Sequence, residues 1–494
     1  MIEKSIEILV IYAKTHFDLD EEDALFKRNL LLSHFGAKEP YEGESDRAGI
    51  AALKLPDEAL APLVQDLSAR GLDEAAIEQE TTWAMGVLSP LPSEVNRAFW
   101  SLYADSPKKA TDYLYRLSIE NDYVKKSKID KNILWEADFP EGSSLSISIN
   151  LSKPEKNNKD IAKLVHSVST SYPKCALCHE NLGFWGEGKR PARENIRMIP
   201  LTLAGQRWYL QYSPYGYFDE HLICLYDEHV PMRVCRENFA AELSFVEQFP
   251  HYFIGSNSDL PIVGGSILNH EHFQGGLPKM PLLKAEPREE VGVFDGIRLE
   301  IVDFYDTVLR LHGKDRERLL DLAEKILLAW RAYDDPARGI LSHDGEGQHS
   351  TATSLAEKRG DEYFLWLILR NNRCDERYPD GIFHAHPEYH AIKKEGIGLI
   401  EAAGLFILPP RLKRQMAAVE DVLSGKTSFE EAVSLSPDLS AFKGMVETCG
   451  KKGMSAREYV NDTCRGILRN VAVFKEGEDG QAGLRAFLER SLRA

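Results

Sequence analysis

Residues 269–276 read Asn269-His270-Glu271-His272-Phe273-Gln274-Gly275-Gly276. Two histidines and a glutamine stand at alternate positions, and in an extended chain residues i, i+2 and i+4 project to one side. His270, His272 and Gln274 are therefore expected to share a face, with Glu271 and Phe273 directed away. An uncharged imidazole is a competent nucleophile at neutral pH. The glycine pairs on either side, Gly264-Gly265 and Gly275-Gly276, would let a phosphate approach the backbone closely. The pattern points to phosphoryl chemistry. In a chain with fifteen histidines it also fits a pair that is merely packed or solvated.

The segment resembles the active-site motif of the galactose-1-phosphate uridylyltransferases, relatives of the histidine-triad nucleotide transferases and hydrolases. That family carries His-x-His-x-Gln with the second histidine as nucleophile, here His270-Glu271-His272-Phe273-Gln274. Glu271 stands where the widely distributed class has proline. The run Phe383-His384-Ala385-His386-Pro387-Glu388-Tyr389-His390, followed by Lys393-Lys394-Glu395, is similar to the second, bacterial class. The resemblance covers about Pro140 to Leu412. It implies an α+β fold of duplicated histidine-triad-like halves built on antiparallel sheet.

Composition fits an enzyme of this kind. A chain of 494 residues is too long for one ordinary core and implies two or three domains. No segment approaches the long uncharged apolar run of a membrane span, and Met1-Ile2-Glu3-Lys4 leads into a short apolar stretch, Ile6 to Ala13, that reads as a packed amphipathic helix rather than a secretory signal. Seven scattered cysteines, an odd number, fit a reducing compartment, so the expected location is cytoplasmic. A formal charge of −17 opposes generic binding to nucleic acid or to anionic membrane. An anionic substrate then needs local cations, and the densest run is Lys189-Arg190-Pro191-Ala192-Arg193-Glu194-Asn195-Ile196-Arg197. Such a run is equally a solvated loop; in the family the corresponding region lies near the nucleotide site.

Four regions are expected. Residues 1–139 are helical in pattern, with Asp20-Glu21-Glu22 as an acidic helix start. Residues 140–290 would form the catalytic half, 291–410 a second related half, and 411–494 a helical tail. Within them, Ser144 to Leu151 alternates as a strand and Ser152 to Asp160 reads as a loop. Arg207–Tyr212 and His221–Tyr226 read as paired strands around a loop at Pro214-Tyr215-Gly216-Tyr217, Asn238 to Phe249 as a helix, and Ile262 to Leu268 as a strand leading into the histidines. Glu300-Ile301-Val302 and Tyr363 to Leu369 belong to a second strand and helix series.

Cys175-Ala176-Leu177-Cys178 can place two thiolates on one tetrahedral zinc, although a lone C-x-x-C also suits a redox pair or two core thiols. The resemblance supplies the other ligands as His229 and His270, with His179 a spare, in a structural zinc site that fixes the loop carrying His272. It also implies a second metal on His349, His384 and His386, with Glu286, Glu289 or Glu290 as carboxylate; the alternative makes His384 and His386 substrate-facing or surface residues. Asn257 and Ser266 match family positions that bind phosphates, and Glu401 the position that contacts sugar hydroxyls, a partner that a buried glutamate would need. Gln274 would donate to a nonbridging oxygen as charge develops, with the amides of Gly264-Gly265 beside it.

The implied activity is a uridylyltransferase of galactose metabolism that converts UDP-glucose and galactose 1-phosphate to UDP-galactose and glucose 1-phosphate through a covalent uridylyl-histidine on His272, with no organic cofactor and with a homodimer left open. Two rivals remain. A histidine-triad nucleotide hydrolase or phosphorylase would share the nucleophile but carry a third histidine where Gln274 stands. A non-catalytic zinc-knuckle binding protein would use exposed aromatics such as Phe184 and Trp185 with the nearby cations.

Overall fold

The computed structural model describes residues 1–140, 142–152, 172–187, 190–345 and 347–493. Apart from Ser152, the expected loop to Asp160 lies outside the described residues, as does Lys189. The chain forms two compact units, Met1–Lys131 with Ser152–His229, and Asn132–Leu151 with Val230–Ala494.

The first unit begins with helices whose ends the sequence marks. In helix Ile2–His16 the residues Ile6, Leu9, Val10 and Ala13 are buried, one apolar stripe at helical spacing. Asp20 caps helix Glu21–Phe35 by accepting the Asp23 N–H, and Gly36 ends it in the left-handed conformation. Asp73 caps helix Glu74–Leu88 in the same way, and prolines open helices Pro92–Tyr103 and Pro107–Glu120. An antiparallel meander follows: Ile199–Leu203, Gln206–Tyr212 and Leu222–Tyr226, with Leu201 opposite Trp208 and Leu210 opposite Cys224. The expected loop at 214–217 joins the last two strands.

In the second unit, strand Phe253–Ser256 pairs with strand His272–Gly276, placing Gly255 opposite Gln274. On its other side Gly255 lies opposite Leu355 of strand Ser350–Arg359, and antiparallel pairing continues through Glu362–Asn371, Val308–Gly313, Ile297–Val302 and Pro287–Phe294. Glycine is required at these crossings: a Cβ at Gly255 would lie 2.4 Å from the Ser354 carbonyl oxygen, and one at Gly275 2.3 Å from that of Phe253.

The duplication shows in chain order. Three strands, helix Arg236–Gln248 and the hairpin Phe253–Ser256/His272–Gly276 make one copy. Three strands, helix Arg316–Arg331 and the hairpin Ser350–Arg359/Glu362–Asn371 make the other. Pro287 begins the second copy's first strand, Pro287–Phe294, which spans the 290/291 position. Residues near 145 also sit differently from expectation. Strand Leu145–Ile149 is sandwiched between Ile133–Ala137 and the parallel strand Leu405–Leu408 in a separate three-stranded sheet.

The tail is helical, as expected. Ser428 with Glu431 and Ser455 with Glu458 form capping boxes for helices Phe429–Leu435 and Ala456–Val471. The last helix, Glu478–Arg493, sets Phe487 against Trp330, with ring centroids 5.4 Å apart. Among the described residues no helix is long and apolar enough to cross a membrane.

One buried carboxyl ties helix to sheet. Glu242 accepts the Ser354 hydroxyl at 2.6 Å, and burial pushes its pKa up from 4.5 to about 8. Between those values the folded chain holds a proton that the unfolded chain has lost, so this group's contribution to stability falls as pH rises, by at most about 1.4 kcal/mol per pH unit. Glu242→Gln removes the dependence. Its melting temperature relative to the parent should rise from pH 5.5 to pH 8, read by thermal denaturation at both; a constant difference would contradict the assignment.

Candidate active site

The site is built on the edge between the strand His272–Gly276 and the loop ahead of it. The strand begins at His272, so His272 and Gln274 share a face as expected, whereas His270 precedes the strand. Residues 262–268 are not a strand. Ile262 takes a left-handed backbone (φ +72°), the Ser258 hydroxyl donates to the Val263 carbonyl, and Ser258 and Gly264 form an isolated bridge, which closes a compact glycine-containing loop.

His272 is 6% exposed. Its Nδ1 lies 2.8 Å from the carbonyl oxygen of His270, and since a carbonyl only accepts, Nδ1 carries the proton and Nε2 the lone pair. Burial pushes the ring's pKa down to about 4, against the opposing effect of that hydrogen bond. The His272 N–H donates to the Met232 sulfur at 3.3 Å. The site thus presents an uncharged imidazole in fixed orientation, the state that nucleophilic attack requires.

Asn257 lies across the loop. A Cβ on Gly265 would come within 2.7 Å of its Nδ2, and one on Gly398 within 2.8 Å of its Oδ1. Its Oδ1 accepts the Leu399 N–H at 2.8 Å, so the side chain packs beside the glycine loop and bonds to the start of the short helix Leu399–Ala402. Ser266 is exposed and Gln274 half-buried.

Glu401 is buried, as read from the sequence, but its partner is internal: Lys393 Nζ donates to it at 2.9 Å. Its burial therefore requires no sugar.

Cys175, Cys178, His229 and His270 form a potential metal group, their ligand atoms all lying within 4.8 Å of one another. The two sulfurs are 3.6 Å apart and Cys178 Sγ is 3.2 Å from His229 Nδ1, near the roughly 3.3–3.8 Å edges of a tetrahedral Cys/His site. The Cys178 thiol beside it holds the Cys175 thiol down to about 7, which favours the thiolate a metal needs. The donor set fits a closed site for a thiophilic divalent ion. His179 is no part of it; the ring stacks on Tyr209 and turns Nδ1 toward Asp227 at 3.5 Å.

The expected second metal is not supported. His349 is held by Asn372 at 2.8 Å and Asp344 at 2.9 Å, His386 stacks on Tyr378 and reaches the Ile382 carbonyl, and His384 is buried with neither ring nitrogen hydrogen-bonded. Among the described residues these three do not converge into a ligand group. Glu289 and Glu290 pair instead with Arg485 and Arg298.

Two arginines of the cationic run are engaged within the protein. Arg197 is 5% exposed and donates to the Pro90, Gly86, Glu194 and Ile196 carbonyls, bracing the helices, and Arg193 lies over the Tyr123 ring. Sequence reasoning missed Met232, Arg233 and Asn238, which hold the histidine segment from a distance in sequence. No local spacing signals them.

The chain matches the family models described as galactose-1-phosphate uridyl transferase, N-terminal domain, over residues 36–231, and galactose-1-phosphate uridyl transferase, C-terminal domain, over residues 242–430. It is 41% identical to a protein of Clostridium acetobutylicum, with 99% of each chain covered. Identity is 39% with one of Fusobacterium nucleatum, covering 98% of this chain and 97% of the other, and 40% with one of Bacillus subtilis, covering 95% and 93%. All three bear the name galactose-1-phosphate uridylyltransferase. A crystal structure of yeast Ap4A phosphorylase Apa2 aligns at a TM-score of 0.35 and 10% identity, over 67% of this chain and 92% of that one.

If the four-residue group holds a metal, Cys178→Ser should lower the bound metal measured by plasma mass spectrometry and lower the melting temperature by several degrees, because binding free energy at a closed site is folding free energy. Metal-free protein with unchanged melting would remove the site.

Proposed function

The chain belongs to the galactose-1-phosphate uridylyltransferase family, and from that premise we propose that His272 is the residue through which it converts UDP-glucose and galactose 1-phosphate to UDP-galactose and glucose 1-phosphate. The observation that carries the assignment is the hydrogen bond from His272 Nδ1 to the His270 carbonyl. It leaves Nε2 unprotonated inside a buried site.

In the first half-reaction the Nε2 lone pair forms a bond to the α-phosphorus of UDP-glucose. The bond from that phosphorus to the bridging oxygen breaks, and its electron pair leaves with glucose 1-phosphate. Positive charge that develops on the imidazole is eased by the Nδ1–H to carbonyl bond. In the second half-reaction a phosphate oxygen of galactose 1-phosphate attacks the same phosphorus and the electron pair of the P–N bond returns to Nε2. Both the leaving group and the second nucleophile are already anions, so neither half needs a general acid or base. Gln274, on the same strand face as His272, suits that requirement: an amide donates to a nonbridging oxygen but cannot titrate. Asn257, Ser266 and the amides of Gly264-Gly265 hold the phosphates.

Cys175, Cys178, His229 and His270 would hold zinc, on the character of two sulfur and two imidazole donors, and it would supply rigidity to the run that carries His272. With seven free cysteines the protein works in a reducing compartment, the cytoplasm. Its acidity opposes long-range attraction to nucleic acid or anionic membrane, and a homodimer remains the oligomeric state to test.

With UDP-glucose alone, the protein should release about one equivalent of glucose 1-phosphate per active site and stall, then resume when galactose 1-phosphate is added. Label at the α-phosphorus should appear on His272. His272→Ala should lose exchange by at least about 10⁴-fold with the fold intact. Steady release of UMP without an acceptor would indicate hydrolysis instead; label on the alanine variant would place the nucleophile elsewhere.

A further inference from the structure

We infer that Glu271 is a positioning residue whose buried carboxylate fixes the tautomer of His272. The inference rests on His272 being the nucleophile. Glu271 sits between the two histidines and is 2% exposed. A carboxylate at that depth is costly unless it is fully engaged, and its engagements are specific. Asn238, in the first turn of helix Arg236–Gln248, donates its Nδ2 to Oε1, and Arg233 Nε lies 3.4 Å from Oε2. The Cys235 thiol donates to Asn238 Oδ1 at 2.7 Å. That contact leaves the amide of Asn238 turned with its NH₂ toward the carboxylate.

The consequence lies in the peptide group joining His270 to Glu271. Its N–H donates to the Val230 carbonyl at 2.8 Å, and its C=O accepts the Nδ1–H of His272 at 2.8 Å. In a trans peptide these two bonds point in opposite directions, so one planar group is held at both ends, and the Glu271 side chain anchors the Cα at its edge. The Met232 N–H to Leu268 carbonyl bond and the His272 N–H to Met232 sulfur bond sew the flanking segments together. If the plane is free to rotate, Nδ1 loses its fixed acceptor and the ring can place its proton on Nε2. That tautomer has no lone pair where the phosphorus must arrive. The carboxylate therefore acts on the reaction through a carbonyl, without touching substrate.

The test compares Glu271→Ala, Glu271→Gln and Asn238→Ala in single-turnover labelling by UDP-glucose carrying label at the α-phosphorus, together with steady-state kinetics, metal content and melting temperature. Glu271→Ala should slow transfer to His272 and kcat by about 10–100-fold, the range for lost orienting partners, with KM for UDP-glucose within about threefold of the parent. Glutamine keeps an acceptor for the Asn238 amide and should recover most of the loss. Asn238→Ala should fall in the same direction, and it carries the test if the alanine variant at 271 does not fold. Labelling at parental rate in all three, a loss confined to KM, or a loss that tracks departure of the metal would overturn the role of Glu271 alone. Label on a residue other than His272 in the parent would overturn the underlying assignment as well.

Discussion

A histidine attacks phosphorus only when one particular ring nitrogen lacks a proton, and in this protein a single backbone carbonyl, that of His270, sets that condition. Much of the second unit bears on keeping that carbonyl in place. The chain from Val230 to Val234 runs beside the histidine segment and takes or gives a hydrogen bond at nearly every step: Val230 accepts from Glu271, Met232 donates to Leu268, and Val234 donates to Asp259. Asp259 in turn accepts from Thr351 and pairs with Arg331 at 3.0 Å. The histidine proposed as nucleophile is thus referred to the hairpin of the second copy rather than to its own loop.

The duplicated plan yields two comparable strand pairs that differ in the volume of their facing side chains. In the first copy the residue opposite Gly255 is Gln274; in the second, the residue opposite Leu355 is Trp366. Gly255 and Leu355 face each other across the line where the copies meet. Where the first copy is lined by glycines, the second fills the corresponding face with Leu355, Trp366 and a fully buried Arg370, whose guanidinium donates to the Ile397 carbonyl at 2.7 Å. Polar groups do line a cavity further along this face, but its arginines are engaged by carboxylates: Arg310 by Glu300, Arg298 by Glu290, Arg359 by Glu357. On the reading proposed above, the second copy supports the first.

What the sequence revealed and what it hid follow the range of the interactions. The shared face of His272 and Gln274 was legible because two-residue periodicity is a property of the strand itself, and the helix start at Asp20 because a cap is local. The duplication, the knuckle at Cys175 and Cys178 and the helical tail rest on similarly local patterns or on family likeness. The segment 262–268 misled because Ile, Val and Leu favour strands, whereas a left-handed Ile262 and a side-chain bond from Ser258 override that preference. The partner of Glu401 was hidden for the opposite reason: Lys393 is close in sequence, but only the turn between them brings it to the carboxylate. Arg197 looked like surface charge, and its four carbonyl acceptors, two of them more than a hundred residues away, turn it inward.

His270 occupies two roles with two different parts of itself. Its imidazole belongs to the Cys175, Cys178 and His229 group, while its carbonyl holds the proton of His272. Were a metal bound there, four protein donors would complete a tetrahedral shell, and the group would fix His270 rather than polarise a phosphate. Fixing the imidazole constrains the same residue's carbonyl, since ring and carbonyl share one Cα. Glu271 constrains the other side of the peptide. If His272 is the nucleophile proposed above, a neutral ring in a chain of formal charge −17 has no long-range attraction to an anionic sugar nucleotide, and its rate must come from preorganisation such as a lone pair already aimed.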